Sequence, residues 1–338
     1  MNTRSFEERR RCVARYFVKL LSSIVGAAFL AVSVGSAFAA EGGSSFYLLG
    51  QRGQGAAVLP PEGLFFSAPN YFYSGDDSDS EDLPLGGSLA FGVDADLFLT
   101  LPTAIWVTPV DVMGGRLALT GTFVLGNADL DASATLAIPG LGAGTASISD
   151  ERWAVGDPAF GAMVGWQAEE LNYLLSASVN VPVGDYDAGR LSNISMNRWA
   201  WDFTGAATWL DPNSGIELSG VAGITFNGEN DDTEYETGTE FHLEAAAAYH
   251  LSPTFSVGVN GYHYQQLTGD SGAGATLGDF EGRVTGLGPT MSATFMLGPI
   301  PVATSLRYFH EFNVKNRLEG DAGWLTITIP LWVPDQEG

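Results

Sequence analysis

Asn197-Arg198-Trp199-Ala200-Trp201-Asp202-Phe203-Thr204-Gly205-Ala206-Ala207-Thr208-Trp209 is the stretch that decides the fold. Trp199, Trp201, Phe203, Ala207 and Trp209 occupy odd positions, whereas Arg198, Asp202, Thr204 and Thr208 occupy even ones. Successive side chains of a strand point to opposite faces, so a period of two marks a strand with one apolar and one polar face. The same period runs through 172–183, where Tyr173, Leu175, Ala177, Val179, Val181 and Val183 oppose Asn172, Leu174, Ser176, Ser178 and Asn180. It returns at 300–312, where Ile300, Val302, Leu306, Tyr308 and Phe312 oppose Ser305, Arg307 and Glu311. After Gly87 no stretch sustains a helical period. The pattern predicts strands near 62–73, 89–107, 115–126, 156–167, 172–183, 197–210, 215–227, 238–251, 255–267, 284–297, 300–313 and 323–333, an even count of twelve.

Alternation by itself serves a soluble sandwich, apolar side inward, as well as a barrel in lipid, apolar side outward. Length and loops separate the two. Strands of roughly 9–11 residues cross a bilayer, against about 5–6 in ordinary sheets. Tight connections near 168–171, 211–214, 252–254 and 298–299 take turns with longer ones near 127–155, 184–196, 228–237, 268–283 and 314–322. That is the rhythm of short periplasmic turns and long outer loops. Trp166, Trp199, Trp201, Trp209, Tyr249, Tyr308 and Trp332 gather at strand ends, as amphipathic rings do at headgroup level. The expected fold is all-β: a closed antiparallel transmembrane barrel over 62–338, both ends on the periplasmic side.

The first forty residues read as a leader. Arg4, Arg9, Arg10, Arg11, Arg15 and Lys19 form a basic region, Leu20 to Val34 an apolar run, and Ala37-Phe38-Ala39 a cleavage motif. Cleavage is expected after Ala39 or Ala40, with export to the outer membrane of a Gram-negative cell. The leader carries the one cysteine, Cys12, so no disulfide staples the mature chain. It also removes six basic and two acidic residues, leaving 9 against 37 and a net charge of −28. Such acidity excludes nucleic acid, which demands a basic face. With 45% hydrophobic and only 16% charged residues, the chain fits apolar walls joined by acidic loops. Glu41 to Pro61, rich in Gly and Pro and without strand period, is expected to plug or gate the lumen.

These pieces resemble the meta-pathway phenol-degradation family of outer-membrane proteins. The likeness begins at Gly43-Ser44-Ser45-Phe46-Tyr47 and Leu59-Pro60-Pro61-Glu62-Gly63-Leu64-Phe65-Phe66. It runs on through Gly156-Asp157-Pro158, Val181-Pro182-Val183-Gly184-Asp185-Tyr186, Asn193 to Asp202 and Thr225-Phe226-Asn227-Gly228-Glu229-Asn230 with Thr233-Glu234-Tyr235. It closes with Gly261-Tyr262-His263-Tyr264-Gln265-Gln266, Asp270-Ser271-Gly272 and Leu287-Gly288-Pro289. The resemblance implies a transporter-like barrel for small hydrophobic or aromatic compounds. Unlike many such barrels, the chain continues past its last aromatic residue, Trp332, to Gly338.

No catalytic constellation is legible. His250-Leu251-Ser252 sits at a tight turn without a third member, and His242, His250, His263 and His310 lack metal-ligand spacing. Asp76-Asp77-Ser78-Asp79-Ser80-Glu81-Asp82 reads as an acidic outer loop, able at most to bridge divalent ions to lipid phosphates. Neither enzyme activity, cofactor nor metal is expected. The informative face is the polar one: Arg116, Arg198, Asp202, Glu217, Glu240, His242, Glu244, Arg307 and Glu311 are costly in lipid and belong in the lumen, as filler or pathway lining. Pairing the apolar residues of 243–251 with those of 255–261 sets Glu244 opposite Tyr262, His242 opposite Tyr264 and Glu240 opposite Gln266, a ladder suited to an aromatic solute. Expected partners are outer-membrane lipid, lipopolysaccharide and that solute, around a monomer. The competing expectation is a plugged barrel with a structural or interaction role and no transport.

Overall fold

The computed structural model describes residues 41–43, 45–82, 88–138, 142–276 and 278–334; the leader, 1–40, lies outside them. A single turn at Glu41–Gly43 precedes the strands. These are β1 (Gly63–Asp82), β2 (Ser88–Thr100), β3 (Thr103–Val112), β4 (Gly115–Thr122), β5 (Leu125–Ile138), β6 (Gly142–Val155), β7 (Ala159–Ala168), β8 (Leu171–Asn180) and β9 (Ala200–Leu210). There follow β10 (Ile216–Asn227), the short β11 (Glu229–Asn230) and β12 (Tyr235–Glu236), β13 (Glu240–Ser252), β14 (Phe255–Gln266), β15 (Arg283–Leu297), β16 (Ile300–Lys315) and β17 (Glu319–Trp332).

Fifteen of these strands make twelve staves, and β11 and β12 form a separate two-stranded sheet. β2 and β3 lie end to end along β1, with Asn70 facing Thr100 and Ser67 facing Thr103. β5 and β4 continue that course along them, and β6 and β7 along those. All neighbours run antiparallel, and β1 meets β17 from Leu64 opposite Trp332 to Asp76 opposite Glu319, closing the barrel. Closure leaves no unpaired backbone along that join, as hydrocarbon requires.

Burial decides which face is out. Phe203 is 54% exposed while its neighbours Asp202 and Thr204 are 4% exposed. Leu175, Trp201, Leu306 and Tyr308 are exposed in the same way. A sandwich would bury these side chains; a barrel turns them to lipid. The short turns lie at one end. At Met113-Gly114 both residues take positive φ, 54° and 81°, the geometry that matches a two-residue hairpin to strand twist.

Three expected loops are corrected. The segment 127–155 is the β5–β6 hairpin. Its period of two is present, with Asn127, Asp129, Asp131, Ser133 and Thr135 alternating with Ala128, Leu130, Ala132, Ala134 and Leu136, but acidic residues take over the odd positions that carry Phe123 and Leu125, so the stretch has the composition of a loop. Asp76–Asp82 is the end of β1, paired to β2, and not a loop. The 314–322 connection shrinks to 316–318.

The staves formed from two strands break at one level: Leu101-Pro102, Phe123-Val124 and Gly156-Asp157-Pro158. Proline cannot donate to a ladder, so a regular strand stops there. A single row of bonds carries the sheet across: Leu101 N to Pro69 O (2.8 Å), Phe123 N to Pro102 O (3.1 Å), Gly156 N to Val124 O (2.9 Å) and Val181 N to Pro158 O (3.0 Å). Beyond this level β6 pairs only with β5 among the described residues, while β8 ends at Asn180. The wall therefore has a seam on its long-loop side.

Candidate functional site: the lumen and its seam

The chain from Glu41 to Pro61 runs inside the barrel from the long-loop end to the short-turn end. Its contacts follow in sequence order. Ser45 Oγ donates to Glu240 (2.6 Å), and the Tyr47 ring stacks on His242 at 3.4 Å. Gly50 N and Arg52 N both donate to the Glu244 carboxylate, at 2.9 and 3.1 Å. Arg307 donates to Gln51 O (2.6 Å), and Trp324 Nε1 to Leu49 O (3.0 Å). Gln54 Oε1 accepts from Ser256 and Ser292. Gly55 N reaches Glu217 (2.6 Å), Ala57 N reaches Thr208 (3.1 Å), and Arg116 donates to Leu59 O (3.1 Å). An irregular segment has no ladder of its own, so its buried N–H and C=O groups must find side-chain partners. The barrel wall supplies them.

The twelve residues singled out by the polar face all point into this lumen. The pairing of β13 with β14 sets Glu240 against Gln266, His242 against Tyr264 and Glu244 against Tyr262. Their hydrogen bonds are less local. Tyr264 donates to Glu240 (2.7 Å), but Tyr262 donates to Glu311 (2.7 Å), which also accepts from Tyr73. Gln266 donates to Asp270 (2.6 Å). Asp202 accepts from Thr204, Thr225 and His242, the last at 2.8 Å. Arg198 donates to Asn227, and Glu217 also meets His250 at 2.7 Å. His250 thus serves the lumen, while the Ser252 hydroxyl lies beside Thr254. Tyr262 and Tyr264 are 3% and 1% exposed, covered by the segment and by Phe309 and Arg317. Among the described residues no cluster of His, Cys, Asp or Glu has metal-binding geometry.

Gly50 carries a requirement of its own. Its φ is +77°, and a Cβ there would lie 2.5 Å from the Phe309 ring. A Gly50→Val variant is expected to lose about 1–3 kcal/mol through the left-handed backbone and the clash. A thermal midpoint equal to that of the unaltered protein counts against this seating of the segment.

The upper lumen has an apolar, aromatic-rich side beside its buried charges. Tyr47, Leu49, Tyr71, Leu99, Phe309 and Trp324 form one buried cluster, against which Leu97, Leu101, Val124 and Ile194 pack. Leu101 and Val124 come from the break level, and Ile194 from the 181–199 connection. This connection straps the seam. Asp185 N donates to Val155 O (2.8 Å), Ser192 N to Asp150 (3.0 Å), Arg190 pairs with Asp150, and Arg152 with Asp185. Side chains here do what a ladder does elsewhere.

The strap is anchored at Asp157, which the charge pattern did not single out. Its Oδ1 accepts from Gly184 N (2.8 Å) and Ser195 Oγ (2.7 Å). Its Oδ2 accepts from Asn180 Nδ2 (3.1 Å), Met196 N (2.8 Å) and Asn197 N (3.1 Å). The Gly-Asp-Pro sequence was the available signal, a carboxylate placed at a strand break. Tyr47, Tyr73, Trp324 and Asn230 were also missed; nothing in a local period reports contacts made across a lumen.

A family model described as "Putative MetA-pathway of phenol degradation" matches residues 75–327. The fold is similar to that of the COG4313 outer membrane channel from Pseudomonas putida F1, with a TM-score of 0.61 at 16% identity over 81% of this chain and 98% of that one. More distant are a Pseudomonas aeruginosa FadL homologue (TM-score 0.38, 11% identity, 88% and 95% covered) and the CymD monoaromatic hydrocarbon channel (TM-score 0.30, 10% identity, 80% and 88% covered). No curated protein matches.

Proposed function

The chain belongs to the family described as Putative MetA-pathway of phenol degradation, and from that premise we propose that it is an outer-membrane channel taking up small hydrophobic or aromatic compounds. The observation that carries the reading is the strapped seam beside an aromatic upper lumen. A solute arriving between the long loops meets Tyr71, Leu99 and Phe309, then Leu101, Val124 and Ile194 at the break level. Above that level the 181–199 strap is held to β6 mainly through side chains, with one main-chain bond, Asp185 N to Val155 O, at its base. An apolar solute gains from leaving there into lipid.

The magnitudes suit passage. Burying a single ring, about 150 Å² of apolar surface, gains roughly 4 kcal/mol. That corresponds to a dissociation constant near ~1 mM, weak enough for release, as conduction needs. The Glu240–His242–Glu244 ladder with Tyr262 and Tyr264 holds the 41–61 segment. It lines a pathway only when that segment shifts, so the segment acts as a gate. The outward aromatic residues carry the contact with outer-membrane lipid and lipopolysaccharide, around a monomer. The leader is removed on export. Among the described residues of the lumen no nucleophile–base pair with a third orienting group is present, and the proposal involves no catalysis.

A double variant, Arg152→Ala with Arg190→Ala, tests the seam. Both ion pairs are partly exposed, so stability is expected to change by less than about 1 kcal/mol. Phenol uptake into liposomes is expected to change at least twofold, with ionic conductance unaltered. Phenol uptake equal to that of the unaltered protein rejects the seam as the route.

A further inference from the structure

We propose that Tyr186, Arg198, Asn230 and Thr233 form a docking pocket for the processed N-terminal end of this chain, and that the Glu41 carboxylate seated there latches the lumen segment at the outer mouth. The inference rests on the reading of 41–61 as a lumen gate.

The pocket is built around the Glu41 carboxylate. Asn230 Nδ2 lies 3.0 Å from each of its oxygens. Thr233 Oγ1 donates to Oε1, Tyr186 OH approaches the same oxygen at 3.4 Å, and Arg198 lies 3.7 Å from Oε2. The Glu41 main-chain nitrogen donates to Thr237 Oγ1 at 3.2 Å. Asn230 and Arg198 are 0% and 1% exposed. The donors are themselves fixed. Asn230 Oδ1 accepts from Asn197 Nδ2 (2.8 Å) and from Asp232 N (3.1 Å), and Arg198 Nε donates to Asn227 (3.2 Å). Burial, with the nearby Glu41 carboxylate, pushes the Tyr186 phenol up to about 12, so it remains a donor across the physiological range. Preorganised donors of this kind favour a carboxylate over solvent.

Topology makes the docking depend on processing. β1 starts at the short-turn end, where a Cβ on Gly63 would touch the Trp332 carbonyl at 2.5 Å. Glu41 lies at the other end, among residues of the 181–199 and 228–239 connections. The chain between them spans the lumen, so the main-chain nitrogen of Glu41 lies at the outer mouth. A leader with six basic residues and a long apolar run works on the cell side of the barrel. Hydrolysis at the Ala37-Phe38-Ala39 motif during export frees the chain of it before the barrel closes. Water adds across one peptide bond, the preceding residue leaves as a carboxylate, and the new end carries an ammonium group. A cut after Ala39 or Ala40 leaves one residue or none before Glu41. The new positive charge then falls among acidic loops, which carry Asp231, Asp232, Glu234 and Asp270.

Three measurements on the full-length exported protein test this. Intact mass is expected to place the mature end at Ala40 or Glu41; retention of residues before Ala37 in the folded barrel overturns the proposal. Glu41→Cys adds the sole cysteine of the mature chain, and a membrane-impermeant maleimide is expected to label it on intact cells. Labelling only after the periplasm is opened overturns the threading. In planar bilayers, Glu41→Gln and Asn230→Ala are expected to shorten closed dwell times about tenfold, the loss of one or two charge-assisted contacts, with heat-modifiability kept. Should deletion of 41–61 raise conductance while both point variants leave dwell times unchanged, the gate stands and the pocket falls. Should the deletion also change nothing, the gate reading falls with it.

Discussion

Deleting residues 41–61 while keeping the leader is expected to raise single-channel conductance several-fold and to lower thermal stability by on the order of 5 kcal/mol. The conductance follows from occupancy. The segment touches the wall from Thr237 at one end to Leu59 beside Arg116 at the other. Removing it frees Glu217, Glu240 and Glu244 from its donors and admits water. Those carboxylates then rehydrate, so the polar part of the loss is small. The apolar part remains: Tyr47, Leu49 and Leu59 are each less than 9% exposed. Burying side chains of that size contributes about 1.5–3 kcal/mol apiece. The gain in conductance is checked in planar bilayers and the stability by loss of heat-modifiability on gels. Conductance equal to that of the full chain, in a barrel that still shows the gel shift, rejects the gate.

Asp157→Ala is expected to cost about 3–5 kcal/mol. Five donors converge on this one carboxylate, three of them main-chain N–H groups. Asn180, Ser195 and Asp157 itself are all buried. Truncation leaves these donors without an acceptor where no ladder can replace it. Asp157→Asn is expected to rescue little, because an amide nitrogen would face N–H groups at whichever oxygen it replaces. The strap should loosen at its base, so phenol uptake is expected to rise along with urea sensitivity. A urea midpoint within about 0.5 kcal/mol of the unaltered protein removes Asp157 as the anchor.

Much of the barrel was legible because a strand reports its two faces locally. Trp199, Trp201 and Phe203 against Arg198, Asp202 and Thr204 give the period from side-chain type alone. The β13–β14 register followed for the same reason, since a slip of one residue would send Glu240, His242 and Glu244 into lipid. The β5–β6 hairpin escaped because its odd positions change from Phe123 and Leu125 to Asp129 and Asp131, so a true strand period carries the composition of an acidic loop. The candidate site was half legible. Its wall carboxylates stood out as charges on a strand face, but Asp157 and Asn230 did not, because their partners lie far away in sequence.

The sequence by itself determined an apolar face and a polar face on the long strands, since these depend only on side-chain chemistry and a two-residue period. Strand length and loop rhythm pointed to the apolar face as the outer one, but only the tertiary structure settled it, because inside and outside exist only once β1 meets β17. The direction in which 41–61 threads the lumen, the seam above Gly156-Asp157-Pro158 and the meeting of Glu41 with Asn230 were also settled there. They depend on groups separated by up to 275 residues in the chain, and a local pattern carries no record of which of them the closing of the sheet will bring within about 3 Å.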